Sequence, residues 1–326
     1  MAPLTFSILR ILSDGQSYSL NELALLLNAD IRCIENTLLD IHRYDINLEK
    51  TPDFVYCWKN PIIWINEQEI YKYLHDDEQI YQIVVLDSVD STNRYLLDRV
   101  AKECSDPQKN SVIVAEMQTK GRGRQGRQWF SGFGDSLTFS FLWRFERSID
   151  QISGLSLVIG VGIVRALKKF NICGVRLKWP NDVLFSFRKL AGILIEVRNH
   201  IRYGPFVVIG IGMNVKLSPT TKKYIDQAFI DLFSITGQPI NRNLLLAVLL
   251  SELASVLHEF NHSGFTDLRN EWINYHAYDG HLMSLMFPDG SIKEGIPVGV
   301  EFDGSLRLKL ASGEIQSFNS GELMLP

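Results

Sequence analysis

The sequence is poor in the features that mark secreted and membrane-spanning proteins. It has only four cysteines in 326 residues, and no two of them form a C-x-x-C pair. They are Cys33, Cys57, Cys104 and Cys173. This spacing excludes a dense disulfide framework and a C-x-x-C redox motif, and it fits a protein kept in a reducing cytoplasm.

Long apolar runs and an excess of cations are also missing. The longest apolar run, LSLVIGVGIV at 155–164, is too short to span a bilayer and is broken by glycine. No basic region precedes the first apolar residues, so we expect neither export nor membrane contact. The net charge of −4 excludes a nucleic-acid footprint over the whole surface. The length and the 46% hydrophobic content predict two or three globular domains.

Residues 1–65 have the pattern of a helix-turn-helix unit. After a first helical segment, Ser19 can cap a second helix, and a third helix starts at Asp30 after a short turn. The sequence FVYCW at 54–58 then resembles one strand of a hairpin. We therefore predict a winged helix-turn-helix with its two central helices at 20–39.

The third helix offers side chains that could contact DNA, namely Arg32, Asn36, Thr37 and Arg43. The same segment also carries Glu35 and Asp40. Residues 1–64 hold five lysines and arginines against eight aspartates and glutamates, a net charge of −3. Because DNA affinity depends on neutralising phosphates, two interpretations remain open: sequence-specific DNA binding, and a packing or dimerisation unit.

The remainder of the chain divides at about residue 277. Between 66 and 276, strand-like runs alternate with helices without a strict βαβ rhythm, which predicts an α+β fold with a mixed sheet. From 277 to 326, turn signals at 288–290, 303–304 and 312–313 separate short strands. This pattern predicts a small separate β-barrel.

The segment KGRGRQGRQW at 120–129 combines three glycines with four cations. A dinucleotide-binding turn would open a helix, whereas the strand-like run LTFSFLWRF follows at 137–145. An RGG-type nucleic-acid segment would be longer and repeated. A solvated basic hairpin without a partner remains possible. No acidic residue lies between Glu116 and Asp135, so we favour a mobile basic loop that closes over an anionic small molecule.

Four further polar clusters accompany this loop. They are DSTN at 90–93, KWPND at 178–182, RKLAGILIE at 188–196 and GIGMNV at 210–215. Each is weak alone, and Ser91 or Thr92 could serve only as a helix cap. As an ordered set, however, the five motifs are specific.

Together these motifs closely resemble those of the biotin protein ligases, in the bifunctional group where a winged helix-turn-helix precedes the ligase and represses biotin synthesis genes. The likeness covers nearly the whole chain and is strongest at 88–215. It implies a class II synthetase-like central domain and a C-terminal SH3-like barrel. It also implies that biotin and MgATP form biotinyl-5′-adenylate, which a lysine of the biotin carboxyl carrier protein of acetyl-CoA carboxylase then attacks.

The resemblance also assigns residues. Catalysis would depend on Lys189, Lys178 and Arg124, because a carboxylate and a phosphate can approach each other only beside cations. The residues implied for biotin are Ser91, Thr92, Asn93, Gln118, Arg122, Gly123, Arg124 and Lys189. Those implied for the adenylate are Arg122, Lys178, Asn181, Asp182, Asn214 and Phe229. Hydroxyls and amides suit the ureido ring, and Trp129 would line the cleft.

Two details of the resemblance are less specific. Asp182 is the candidate Mg²⁺ ligand, although a single carboxylate is a weak indication of a metal site. Phe229 stands where the best-known bifunctional member has a tryptophan over the adenine, a change that preserves stacking.

The same resemblance predicts a homodimer through strand Ala191–Val197, and operator DNA as a partner. Two other functions remain open: a lipoate or octanoate ligase of the same fold, and a ligand-sensing DNA-binding regulator without carrier ligation. The sequence HEFNH at 258–262 spells the H-E-x-x-H zinc-protease pattern. We expect the helix to end just beyond it at Ser263-Gly264, which argues against a zinc site.

Overall fold

The computed structural model of the protein describes residues 1–74, 81–102, 111–144, 152–200 and 204–324. Within these ranges the chain forms a three-stranded, a seven-stranded and a five-stranded sheet in sequence order, together with one separate two-stranded hairpin. Helices pack against the larger sheets. This is the α+β architecture with a mixed central sheet that the sequence predicts.

The N-terminal elements include the three helices and the strand at 54–58 expected from the sequence, together with a short strand, β1, that the sequence does not predict. They are α1 (Pro3–Leu12), β1 (Ser17–Ser19), α2 (Leu20–Leu27), α3 (Ile31–Asp40), β2 (Glu49–Lys50) and β3 (Val55–Cys57). Ser19 caps α2 in a reciprocal capping box with Glu22, and the side chain of Asp30 caps α3. Asn28 ends α2 in the left-handed conformation, which asparagine tolerates better than most residues.

The core of this N-terminal unit includes one aromatic residue from the middle of the chain. Ile8, Leu9 and Leu12 are fully buried within it. Phe133 belongs to the same core and makes edge contacts with two aromatic rings, its ring centroid lying 5.8 Å from that of Phe6 and 5.2 Å from that of Trp64. The packing of the N-terminal helices therefore depends on a residue that closely follows the predicted basic loop.

The central sheet is antiparallel except for one parallel pair at its edge, β4 with β5. In spatial order its strands are β4 (Gln82–Leu86), β5 (Ser111–Ala115), β8 (Ser136–Trp143), β12 (Gly204–Asn214), β11 (Arg188–His200), β10 (Asp182–Phe185) and β9 (Val175–Lys178). Strand β8 is buried along its whole length because helices cover both faces of the sheet.

The helices that cover the sheet include α5 on one face and α6 with α9 on the other. They span Thr92–Lys102, Leu155–Lys169 and Arg242–Ser263. The sequence pattern predicts that the α5 helix extends from Ser91 to Cys104, and residues 103 and 104 lie outside the described residues. By length and hydropathy alone α9 could cross a membrane, but 61% of its apolar window is buried in the core. The remaining helices are α4 (Glu67–Tyr73), α7 (Pro219–Tyr224), α8 (Leu232–Thr236) and α10 (Thr266–Tyr275).

The C-terminal sheet follows the turns predicted from the sequence. Its strands are β13 (Met283–Met286), β14 (Ile292–Val300), β15 (Leu306–Lys309), β16 (Ile315–Phe318) and β17 (Glu322–Met324), all antiparallel to their neighbours. Gly290, Gly304 and Gly313 have positive φ angles in the three predicted turns. The apolar side of this sheet joins the central core.

A buried ion pair holds the segment that leads into the central unit. The side chains of Glu116 and Arg242 are almost completely buried, and Arg242 Nη2 lies 2.7 Å from Glu116 Oε2. Glu116 Oε1 accepts a hydrogen bond from the backbone N–H of Ile65, and Arg242 donates to the carbonyl of Ile63. Both charges therefore fix the backbone between the N-terminal unit and α4.

We expect Arg242→Met to lower the free energy of unfolding by about 3–5 kcal/mol, because it leaves the carboxylate of Glu116 buried without a cation. Urea denaturation followed by circular dichroism measures the change. Arg43→Met is the control, since Arg43 forms an exposed pair with Asp40 and its loss should change the free energy by less than about 1 kcal/mol. Equal stability of both variants would contradict this role of the buried pair.

Candidate active site

A cleft lies over strands β11 and β12, beneath a hairpin formed by β6 (Gln118–Arg122) and β7 (Gln128–Ser131). Ten of the thirteen site residues predicted from the sequence line this cleft. They are Ser91, Thr92, Asn93, Gln118, Arg122, Gly123, Arg124, Asn181, Asp182 and Lys189. The other three, Lys178, Asn214 and Phe229, lie close by and are described below.

Glycines line the floor of the cleft, because the side chains of Asn93 and Trp129 pack directly against the backbone there. Gly210 and Gly212 occupy β12, where Gly212 pairs with Gly192 of β11. A Cβ on Gly210 would lie 2.0 Å from Oδ1 of Asn93. A Cβ on Gly212 would lie 2.4 Å from the ring of Trp129. Any larger residue at either position would thus displace a side chain that shapes the cleft.

One end of the cleft is a network of neutral hydrogen-bonding groups. Gln118 Oε1 accepts from the backbone N–H of Thr92 at 2.8 Å and lies 3.1 Å from its hydroxyl. Ser140, on the neighbouring strand β8, lies 2.7 Å from the Thr92 hydroxyl and 2.5 Å from Asn93 Oδ1. Because Asn93 Oδ1 can only accept, the single Ser140 proton goes to Asn93. Thr92 is therefore part of the site network, which goes beyond a capping role.

The same network ends in an ion pair. Asn93 Nδ2 donates to Glu196 Oε2 at 2.9 Å and to the carbonyl of Leu194 at 3.2 Å. The other oxygen of Glu196 lies 2.5 Å from Nη2 of Arg122 in the hairpin. Hydrogen bonds and ion pairs thus run without interruption from the neutral network to a cation of the hairpin.

The other end of the cleft carries charge. Lys189 Nζ lies 2.8 Å from Asp182 Oδ1, and Lys178 Nζ lies 4.0 Å from Asp182 Oδ2. Burial lowers the pKa of Lys178, and the nearby charge of Asp182 opposes that shift. Burial likewise lowers the pKa of Arg124, whose guanidinium donates to Asn181 Oδ1 at 3.3 Å. Two lysines share one carboxylate here, so the group carries a net positive charge.

The basic segment, which the sequence predicts to be a mobile loop, forms the β6–β7 hairpin in the structure. The Gly121 backbone packs against Trp129, because a Cβ on Gly121 would lie 2.3 Å from the Trp129 carbonyl oxygen. At the tip, Gln125 and Gly126 have positive φ angles. Arg127 Nη1 donates to Glu322 Oε1 of the C-terminal sheet at 2.5 Å, and this hydrogen bond raises the pKa of Arg127. The hairpin is therefore attached to strands from both sides of the cleft.

A second cleft adjoins the first behind Trp129 and Lys189. Asn214 and Phe229 line it, as do Gln128 and Gln227 among others. Asn214 Nδ2 donates to the carbonyls of Lys189 and Ile230, and the backbone N–H of Lys189 donates to Ala228. Asn214 thus fixes the backbone at Lys189. Trp129 Nε1 is buried without a hydrogen-bond partner among the described residues, which leaves a donor at the junction of the two clefts.

The structure does not favour a metal ion held by protein groups alone. Asp182 is already balanced by two lysines, and the described residues hold no group of three His, Cys, Asp or Glu side chains that could bind a metal. In HEFNH, Glu259 pairs with Arg165 at 2.6 Å, and α9 ends at Ser263, as expected.

The four candidate DNA contacts differ in availability. Arg32 and Asn36 are exposed on α3. Thr37 donates its hydroxyl proton to the Cys33 carbonyl at 2.7 Å. Arg43 lies beyond the end of α3 and pairs with Asp40 at 3.2 Å. Two of the four side chains are therefore already engaged within the unit.

Sequence reasoning assigned no role to four residues of the site: Ser140, Glu196, Arg127 and Glu322. Glu196 and Arg127 do lie inside motifs that the sequence highlights. Ser140 offers one signal, since it interrupts the aromatic run of β8 with a polar side chain on the cleft face. Glu322 is 195 positions from its partner Arg127, and no local pattern connects them.

Comparison with known proteins agrees with this geometry. Residues 85–214 match the biotin/lipoate A/B protein ligase family, and residues 285–325 match the biotin protein ligase C-terminal domain. The chain is 33% identical to the bifunctional ligase/repressor BirA of Salmonella typhimurium, over 99% of this chain and 97% of that protein. It is 32% identical to BirA of Escherichia coli, over 98% and 96% of the two chains.

Among solved structures, the chain is similar to the biotin protein ligase of Aquifex aeolicus in complex with biotin and ATP. The TM-score is 0.63 at 29% identity, and the match covers 75% of this chain and 98% of that one. Because two near-complete relatives are more than 30% identical to it, the chain belongs to the biotin protein ligase family.

Proposed function

We propose that the protein uses ATP to activate biotin as biotinyl-5′-adenylate and then transfers biotin to a lysine of a biotin carboxyl carrier protein. The observation that carries this proposal is the division of the cleft. Neutral hydrogen-bonding groups occupy one end, and two lysines sharing the single carboxylate of Asp182 occupy the other. A ligand with a neutral ring and an anionic tail fits that division.

The neutral end suits the ureido ring of biotin. The ring has two N–H donors and one carbonyl, so it pairs with hydroxyl and amide groups and gains little from charges. Ser91, Thr92 and Gln118 present such groups, and Asn93 supports them from behind. Trp129 covers the glycine floor and would bound the apolar part of the ligand.

The charged end suits the reacting groups. In the first step, a carboxylate oxygen of biotin attacks the α-phosphorus of ATP and pyrophosphate leaves. Lys189 and Lys178 would stabilise the added negative charge, because their ammonium groups are positioned before the reaction begins. Arg122, Gly123 and Arg124 would cover the anhydride and exclude water. In the second step, a lysine amine of the carrier attacks the acyl carbon, AMP leaves, and the amine loses a proton.

We propose that the adenosine of ATP binds in the second cleft. Phe229 offers an aromatic face there, and Asn214 holds the Lys189 backbone that separates the two clefts. Asn181 would lie beside the phosphate through its contact with Arg124. We propose that Mg²⁺ enters with the phosphates of ATP. Asp182 is the candidate protein ligand from sequence, but its pairing with two lysines does not fit that role.

A lipoate or octanoate ligase is the second candidate of the same fold. Its substrates lack the ureido group, so they offer no hydrogen-bond partner to the amide N–H groups of Gln118 or to the hydroxyl of Ser91 at this end of the cleft. A competition assay between biotin and lipoate separates the two functions. The buried polar network favours biotin, because unpaired buried polar groups oppose the binding of an apolar substitute.

We propose that residues 1–65 form a winged helix-turn-helix that represses biotin synthesis genes at an operator. The capped helices α2 and α3 and the β2–β3 pair support this proposal. The relatives named as ligase/repressors support it too. The alternative is a ligand-sensing regulator that does not ligate biotin. A carrier-labelling assay separates the two functions, because only the ligase labels the carrier.

We propose a central class II synthetase-like domain at 66–276 and an SH3-like barrel at 277–326. A cytoplasmic location is supported by three free cysteines among the described residues. A homodimer is supported by the edge of β11: Ile193 bonds to Asn181, but beyond it no strand of the described part pairs on that side. Ile195 and Val197 could therefore pair with a partner strand.

We expect Lys189→Ala to slow the labelling of a purified carrier domain by biotin and ATP about 10²–10³-fold, because one positioned cation is lost from the transition state. Lys120→Ala is the matched control: Lys120 is an exposed cation of the same hairpin and does not line the cleft. Thermal unfolding should be similar for both variants. A Lys189→Ala rate within threefold of wild type would exclude the assigned role.

Arg124→Gly should still form the adenylate but release it early, because this cation would cover the anhydride. The measurement is biotin transferred to a bystander protein such as serum albumin, compared with transfer to the carrier. We expect the bystander fraction to rise about tenfold or more, as when one charged contact to a ligand is lost. Unchanged bystander labelling would contradict the covering role.

DNA binding should be weak and only moderately salt-dependent. If Arg43 exchanges its partner Asp40 for a phosphate, Arg32 and Arg43 are the two candidate cations of each protomer, and a dimer would neutralise four phosphates. The logarithm of the binding constant should then fall against the logarithm of the salt concentration with a slope of about −4. Gel shifts of a biotin operator with biotinyl-adenylate measure this slope, and Arg32→Ala should reduce it by about two. No shift at low salt would leave the N-terminal unit a structural role only.

A further inference from the structure

Glu196 connects two parts of the cleft that belong to different elements. It lies on β11 four residues after Gly192, so Gly192, Leu194 and Glu196 share the cleft face of the strand. Its two carboxylate oxygens have different partners. Oε2 accepts from Asn93 at the start of α5, and Oε1 pairs with Arg122 at the end of β6.

The hydrogen bonds of Asn93 show that this residue is held in place by the protein. One Nδ2 hydrogen goes to Leu194 and the other to Glu196, while Oδ1 accepts from Ser140. Both donors are therefore used inside the protein. The orientation of the Asn93 side chain over Gly210 depends on Glu196, and Ser140 in turn joins Asn93 to Thr92.

The cations of the cleft differ in how they are balanced. Lys178 and Lys189 share Asp182, and Arg127 pairs with Glu322. Among the described residues Arg124 has no ion pair and contacts the neutral amide of Asn181. Arg122 is 44% exposed, whereas its partner Glu196 is only 20% exposed. The carboxylate is thus the fixed member of this pair, and it sets where the base of the hairpin lies.

We propose that Glu196 is a positioning residue for biotin. It fixes both Asn93 and the base of the hairpin at Arg122, so that the neutral end of the cleft and the hairpin above it are held in one geometry. This inference rests on the proposed function. It concerns biotin affinity and leaves the phosphate chemistry at Lys189 unaffected, because Glu196 contacts neither lysine of that group among the described residues. Its loss should therefore act on biotin and spare ATP.

The test compares Glu196→Gln, Glu196→Asp and the control Arg198→Gln. Arg198 lies two residues further along the same face of β11 and is exposed. Calorimetry measures the Kd for biotin alone, and carrier labelling measures kcat and the KM values for biotin and ATP. For Glu196→Gln we expect the Kd and KM for biotin to rise about tenfold, the scale of one hydrogen bond to a charged group, with kcat within threefold and the ATP KM within twofold.

Glu196→Asp keeps the charge on a shorter side chain, so it should recover part of the biotin affinity. Arg198→Gln should match wild type. A double-mutant cycle with Arg122→Gln checks the coupling: Glu196→Gln should change biotin affinity about threefold less in the Arg122→Gln background than alone, since the two residues act through one contact.

Three outcomes would overturn the inference. The biotin Kd of Glu196→Gln could stay within twofold of wild type, the KM values for biotin and ATP could rise together with a lowered melting temperature, or the two substitutions could act additively. Failure of the proposed function has a different signature, because wild type would then bind biotin without labelling the carrier. The calorimetric comparison still decides the role of Glu196 in that case. A wild type that does not bind biotin overturns both.

Discussion

The pairing of Lys178 and Lys189 with Asp182 is the interaction on which the rest of the site depends. Three consecutive strands, β9, β10 and β11, bring these residues together, since Asp182 lies opposite Lys178 in one register and opposite Gly192 in the other. Lys178 lies directly opposite Asp182 at the end of β9, whereas Lys189 lies near the start of β11, opposite Leu184, and its long side chain reaches back to Asp182. Two ammonium groups on one carboxylate give a surplus of positive charge at a partly buried point, where an arriving anion is stabilised strongly.

The neutral end of the cleft exists because glycine replaces side chains on two neighbouring strands. Gly210 makes room for Asn93, and Gly212 makes room for Trp129. The space above these glycines is filled by Asn93 of α5 and by Trp129 of the hairpin, although both elements are far from β12 in sequence. The cleft is therefore a region where the sheet lacks its own covering side chains, and it is bounded by groups that can bind hydrogen-bonding ligands.

Much of this arrangement follows from local sequence. Ser19 and Asp30 are capping residues with recognisable spacing, and the turns at Gly290, Gly304 and Gly313 have the residues that such turns require. The ordered motifs likewise contain nine of the ten predicted residues that line the main cleft, and the tenth, Gln118, lies two positions before the basic segment.

The hairpin β6–β7 is different. Three glycines in its sequence oppose strand formation, and the pairing depends on Gly121 fitting beneath Trp129. The contacts of Glu196 with Asn93 and of Arg127 with Glu322 join positions 103 and 195 residues apart. Such pairs arise only once the sheets are assembled, so no periodicity or motif in a single sequence indicates them.

The N-terminal unit is attached to the segments that border the cleft. Phe133, two residues beyond β7, closes the apolar core of that unit through its contacts with Phe6 and Trp64. On the other side, Asp45 accepts a hydrogen bond from the backbone N–H of Thr220, in the helix α7 that follows β12. Both attachments lie within a few residues of elements that form the clefts.

Asp135 joins these two attachments to each other. Its carboxylate accepts from the Thr221 hydroxyl and the Ser218 backbone N–H, and its backbone carbonyl accepts from Val215. Burial raises the pKa of Asp135, and the hydrogen bonds from Thr221 and Ser218 oppose that shift. A movement of the hairpin base or of α7 must therefore change contacts that hold the N-terminal helices. The same small set of residues, Asp135, Ser218 and Thr221 with their neighbours, therefore borders the clefts and contacts the N-terminal unit.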